Sequence, residues 1–156
     1  MAVPPAVPSA PPAVKADLTK RFIAALIDGL LAGGVSILPF IGGIIGAAYI
    51  LLRDGLDLEF MDRRSIGKKL MKLRPIRLDG QAMDLETSLK RNVPLCIGAL
   101  GSIFWVIPIL GWIVAILLGV IGLIVAIVEV VMVLTDPEGR RMGDKLGSTK
   151  VVEVAE

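Results

Sequence analysis

The chain has 156 residues, with 17 Lys and Arg, 15 Asp and Glu, no His and a net charge of +2 at pH 7. A hydrophobic share of 54% and a mean hydropathy of +0.76 are too apolar for an ordinary soluble domain. A single cysteine, Cys96, excludes an intrachain disulfide, and without His or a Cys cluster there is no basis for a zinc or haem site.

The chain starts with a tail, residues 1–16, in which Pro stands at 4, 5, 8, 11 and 12. Its Pro and Ala content predicts a disordered, partly polyproline segment on the cytoplasmic side, and it lacks the basic start and apolar core of a signal peptide. Beyond it, residues 17–156 form one membrane domain. Every Lys and Arg falls into residues 15–21, 53–91 or 140–150, and the apolar stretches 22–52 and 92–139 hold none. Basic residues flanking membrane spans stay on the cytoplasmic side, so all three blocks should share one face.

An even number of crossings must then separate each block from the next. The first stretch is divided by Pro39-Phe40-Ile41-Gly42-Gly43 and the second by Pro108-Ile109-Leu110-Gly111, where Pro and Gly break and reverse a helix. Trp105 and Trp112 flank the second turn, as interfacial aromatics do. The expected fold is an all-α membrane protein of four transmembrane helices in two hairpins, with a small cytoplasmic β element. The spans are placed at about 20–38, 41–57, 93–108 and 112–135 by the length a crossing needs. The cytoplasmic loop is 58–92, the C-terminal segment 136–156 is cytoplasmic, and both termini lie on that side of the cell membrane. Within the loop, Leu73–Leu78 should pair with the run Lys150–Val154, and Asp84 should cap a short helix, 85–91, leading into the third span.

The two halves resemble each other. Pro39-x-x-Gly42-x-Ile44 matches Pro108-x-x-Gly111-x-Ile113, and Arg64-Ser65-Ile66-Gly67-Lys68-Lys69-Leu70 matches Arg140-Arg141-Met142-Gly143-Asp144-Lys145-Leu146. Each match is followed by a β-like run, which describes one hairpin-plus-loop unit used twice in parallel.

Two acids, Asp28 and Glu129, interrupt the apolar stretches, where a carboxylate is costly and faces protein or water. Asp28 lies on a stripe of small residues with Ala24, Ala25, Gly29, Ala32, Gly33 and Ser36. Glu129 shares a helix face with Ala115, Gly119, Gly122 and Ala126. The stripes predict close helix packing. The two acids either form an intramembrane ion or proton site or are neutralised by Arg21, Arg53 or Arg91 as part of the packing.

These residues carry a resemblance to the RDD family of small prokaryotic membrane proteins, named for an arginine and two aspartates. Arg21-Phe22-Ile23-Ala24-Ala25-Leu26-Ile27-Asp28 resembles its first signature and supplies Arg21 and Asp28. Ser65–Leu70 resembles its central Gly-Lys loop, and Ser88-Leu89-Lys90-Arg91-Asn92 its entry to the third span. Arg140–Leu146 resembles the last signature and supplies Asp144. Where the family continues Ala-Gly-Thr, this chain has Gly147-Ser148-Thr149. The resemblance implies a membrane protein with a transport role, cation/proton exchange in some relatives. By chemistry rather than resemblance, Gly67, Lys68, Arg91, Asn92 and Gly143 should form a supporting cytoplasmic corner, and Asp144 should accept backbone N–H groups or pair with Arg21.

Two functions remain open at this stage. One is a transport component for a cation, proton or small solute, working through Asp28 and Glu129 as a homo-oligomer. The other is a non-catalytic structural or accessory protein that holds anionic lipid headgroups or a partner complex on its basic face. Nucleic acid is not expected, because block 53–91 also carries seven acidic residues and a single aromatic, Phe60, among its basic ones. An enzyme is not expected either, for want of a nucleophile–base pair, and no cofactor or metal is implied.

Overall fold

A computed structural model describes residues 15–38 and 41–155. The tail expected over residues 1–14 and the Pro39-Phe40 part of the first turn lie outside the described residues. Asp17 caps the first helix, α1 (Leu18–Ser36), by accepting the Lys20 backbone N–H at 2.9 Å. The second, α2 (Gly42–Leu52), has 11 residues and runs about 16 Å at 1.5 Å per residue. It ends early because Arg53 and Asp54 turn into a buried polar layer. A short helix α3 (Ile66–Leu70) leads into strand β1 (Leu73–Arg77).

The helix expected over 85–91 does not stop before the third span. A single helix α4 (Leu85–Leu100), capped by Asp84 at the Thr87 N–H, runs on with Pro94 inside it. Proline removes one ladder donor, and this helix accommodates the loss without ending. A 3-10 turn follows over Gly101–Val106. Next comes α5 (Leu110–Thr135), then α6 (Met142–Leu146) and strand β2 (Thr149–Glu153). The reversal before α5 is a tight three-residue turn: Ile109 has φ 62° and ψ −71°, and the Leu110 N–H meets the Pro108 carbonyl at 2.7 Å. Trp112 Nε1 donates to the Trp105 carbonyl at 3.2 Å and pins that turn.

Among the described residues, α5 is the one helix long and apolar enough to cross a bilayer by length and composition. Only 11% of its apolar window is buried, so it is not the core helix of a soluble protein. Its Ile, Leu and Val side chains, Ile116, Leu117 and Leu123 among them, are exposed and need an apolar covering. The helices pack as a row, α1 on α2, α2 on α4 and α4 on α5. Small residues set the close approaches. Gly46 sits against the Ala32 carbonyl, Gly122 against Gly98 and Gly101 against Ala115. The stripes expected to pack therefore do so in part. Gly29 and Gly33 of α1 and Gly119 of α5 have open space where a Cβ would be.

At the charged end, β1 and β2 form an antiparallel pair with Pro75 opposite Val151 at its centre. Those two residues are separated by the same offset, 76, as Gly67 from Gly143. Lys72 and Ser148, again at that offset, both take a positive φ just before their strands, 54° and 49°. The sheet centre is thus a local two-fold relating two α-turn-β units, which makes the sequence repeat a structural one. Ala16, Ala24, Leu73 and Val151 form the small apolar core joining the sheet to α1.

Candidate functional site: a buried charge network under an open cavity

Each repeat closes through its glycine. α3 packs on α1 with Gly67 against the Ala24 carbonyl, and α6 packs on α4 with Gly143 against the Arg91 carbonyl. At either glycine an added Cβ would sit well under 3.0 Å from that oxygen. The N–H groups freed at these contacts go to the two acids singled out above. Gly67 donates to Asp28 Oδ1 at 2.8 Å, and Gly143 donates to Glu129 Oε1 at 3.2 Å. The acids are alike in role but not in position, since Asp28 sits on α1, where α3 packs, and Glu129 sits on α5 rather than α4.

Their surroundings differ. Asp28 Oδ1 also accepts the Tyr49 hydroxyl at 2.9 Å, while its Oδ2 lies 3.0 Å from Arg53 Nη1 as an ion pair and has no hydrogen bond among the described residues. Glu129 keeps Oε2 without a hydrogen-bond partner among the described residues, although it is only 4% exposed.

Between these sites lies a continuous ionic chain. Asp144, fully buried, receives Arg91 Nη2 at 2.6 Å, Arg21 Nη2 at 3.2 Å and Arg141 Nε at 3.4 Å. The pairing of Arg21 with Asp144 joins the start of α1 to the far end of the chain. Arg91 reaches on to Asp54, with Nε 3.5 Å from Oδ2. Asp54 also accepts Lys68 Nζ at 2.7 Å, the Ser65 N–H at 3.2 Å and Asn92 Nδ2 at 3.3 Å. Asn92 Oδ1 accepts Arg141 Nη2 at 2.7 Å and ties the chain back to α6.

Burial would raise the Asp144 carboxyl, but Arg91, Arg141 and Arg21 outweigh it and hold Asp144 below the usual carboxylate range. Lys68 moves the other way. Burial pushes its ammonium down to about 7, aided by Arg53 and Arg91 and opposed by Asp54.

All the residues expected at the site, Arg21, Asp28, Gly67, Lys68, Arg91, Asn92, Glu129, Gly143 and Asp144, therefore meet at this end of the bundle. Tyr49 was not expected at the site, and Asp54 was expected only as the close of the second span, beside Arg53. Asp54 left a signal, an acid directly after the basic residue that ends an apolar stretch.

Above the network, a cavity of about 690 Å³ separates α1 from the C-terminal half of α5. Asp28, Arg53, Lys68, Arg91, Glu129 and Arg141 form its polar floor, and Phe22, Leu95, Val130 and Leu134 are among its apolar walls. The described residues contain no cluster suited to a metal ion.

A mostly helical chain with one long, outward-facing apolar helix over a buried arginine–aspartate network is the architecture of a small membrane protein. The RDD family model matches residues 40–148, and the chain belongs to the RDD family. The match begins after α1 and so does not include Arg21 or Asp28. No curated protein and no solved structure matches the chain.

Proposed function

We propose that the protein is a non-catalytic, four-span protein of the cell membrane that binds a ligand between α1 and α5. Its two hairpins stand side by side, both termini are cytoplasmic, and the charge network forms the cytoplasmic floor. The observation that carries this reading is the cavity, which joins an apolar wall to a polar floor within the roughly 300–1,000 Å³ of a small-molecule site. The network supports it from below. Its groups spend most of their hydrogen-bonding capacity on one another, which suits a rigid seat better than a moving gate.

A second reading, transport of a cation or proton, is favoured by one observation, the unpartnered Oε2 of Glu129 at the cavity. Asp28 Oδ2 likewise has no hydrogen bond among the described residues, but it offers a cation less because it faces the Arg53 guanidinium at 3.0 Å. Reconstituted protein separates the two. Proteoliposomes under a proton, sodium or potassium gradient should show no flux above protein-free vesicles, and Glu129→Gln should change nothing. A flux that Glu129→Gln abolishes while the variant stays folded would overturn the ligand-binding reading in favour of transport.

A further inference from the structure

The ligand class follows from the balance of groups around the cavity. Five cationic side chains line it, Arg21, Arg53, Lys68, Arg91 and Arg141, against two acids, Asp28 and Glu129. The other two acids of the network, Asp54 and Asp144, are not among the lining residues but pair with these cations from beneath, so five cations meet four acids and the floor keeps a small positive excess. Arg53 Nε and Arg91 Nη1 are buried donors with no hydrogen-bond partner among the described residues, on side chains that are themselves almost wholly buried. Guanidinium donors left over in this way match a phosphate oxygen, which accepts several N–H groups at once. The walls above are apolar, and α1 and α5 are not a packed pair, so a chain can leave the cavity between them.

We propose that the cavity holds one net-anionic phospholipid, its phosphate on the Arg53–Arg91 floor and part of an acyl chain along the wall between α1 and α5. The proposal rests on the ligand-binding reading above and narrows it to one class. At 690 Å³ the cavity takes the headgroup and the upper part of a chain, and the remainder lies among the surrounding lipids.

A substitution that fills the space without touching the network provides the test. Gly29 lines the cavity, and a Cβ there meets no atom within 4 Å, so Gly29→Leu projects into the lipid's place while the helix contacts survive. Gly119 is equally open but does not line the cavity, and Gly119→Leu is the control.

The full-length protein is released from bilayers of phosphatidylglycerol and phosphatidylcholine in equal amounts, and the lipid retained is weighed by native mass spectrometry. The expected result is one retained phosphatidylglycerol, reduced about tenfold by Gly29→Leu, the scale of an overpacked site, and unchanged by Gly119→Leu. Excess inorganic phosphate should leave the lipid in place. Displacement by phosphate would show that the head alone is recognised and would overturn the lipid assignment. Gly29-sensitive retention of phosphatidylcholine in equal or greater amount would overturn the anionic class and leave the ligand-binding reading standing. Retention of neither lipid in a Gly29-sensitive way would end both.

Discussion

Replacing Asp144 by alanine is expected to cost about 3–5 kcal/mol, the scale for removing one partner of a buried ionic group, and to leave little folded protein in the membrane. Asp144 is the point at which Arg21 of α1, Arg91 of α4 and Arg141 at the start of α6 converge. Arg91 has no exposed surface and the Arg21 and Arg141 side chains very little, so the substitution takes a carboxylate from three guanidinium groups rather than one, leaving Asp54 as the acid still beside Arg91. Asp144→Asn keeps the shape but not the charge and should fail nearly as badly. Thermal unfolding of detergent-purified variants, read beside expression level, provides the check. A variant that accumulates and unfolds like the parent would show that the network is not what holds the charged end together.

The same residue sets an acid limit. Its folded-state pKa lies below its ordinary value of 3.8. Its contribution is therefore complete above about pH 4 and is lost as pH falls through the folded value. Asp136, held down to about 2 by Lys145, loses its pairing in the same window.

Gly143→Ala should be the second severe change, costing about 2–3 kcal/mol through overpacking. One methyl group there collides with the backbone carbonyl of Arg91, which cannot swing aside as a side chain would. The shift needed to admit it would also pull the Gly143 N–H away from Glu129. Gly67→Ala presents the same problem at the Ala24 carbonyl and should behave alike, because the two glycines hold equivalent places in the repeat. The comparison that gives the prediction force is Gly119→Ala. That helical glycine has open space around it, so the substitution should stabilise the protein by up to about 1 kcal/mol through helix propensity alone. Equal melting temperatures for Gly143→Ala and Gly119→Ala would show that the Gly143 contact is not the tight one described.

Much of this arrangement was legible in the chain because it rests on local chemistry. The helix break at Pro108–Gly111, the cap at Asp84 and the strands over 73–77 and 149–153 follow from residue type and spacing. For Asp144 the residues left two partners open, backbone N–H groups or Arg21, and the structure has both. What could not be read is which acid answers which base. Arg21 lies on the face of Asp28 by helical period, yet it reaches Asp144, while Asp28 takes Arg53 from the next helix. That choice is made by the approach of α1 to α2, which no spacing within α1 encodes. The continuity of α4 through Pro94 was hidden for a related reason, because packing against α2 and α5 overrides the local break. The cavity was invisible as well. A stripe of small residues reads as a packed face, and only the row order of the helices leaves Gly29 and Gly33 of that stripe in open space.

The proposed topology sets two hairpins side by side over one cytoplasmic floor, and the sidedness of three points on the chain tests it most directly. Reporter fusions at the N-terminus, at the C-terminus and after Leu110 in intact cells should place both termini in the cytoplasm and Leu110 outside. An external N-terminus, or a cytoplasmic Leu110, would contradict it, because Arg21 and Asp144 could then not meet on one face.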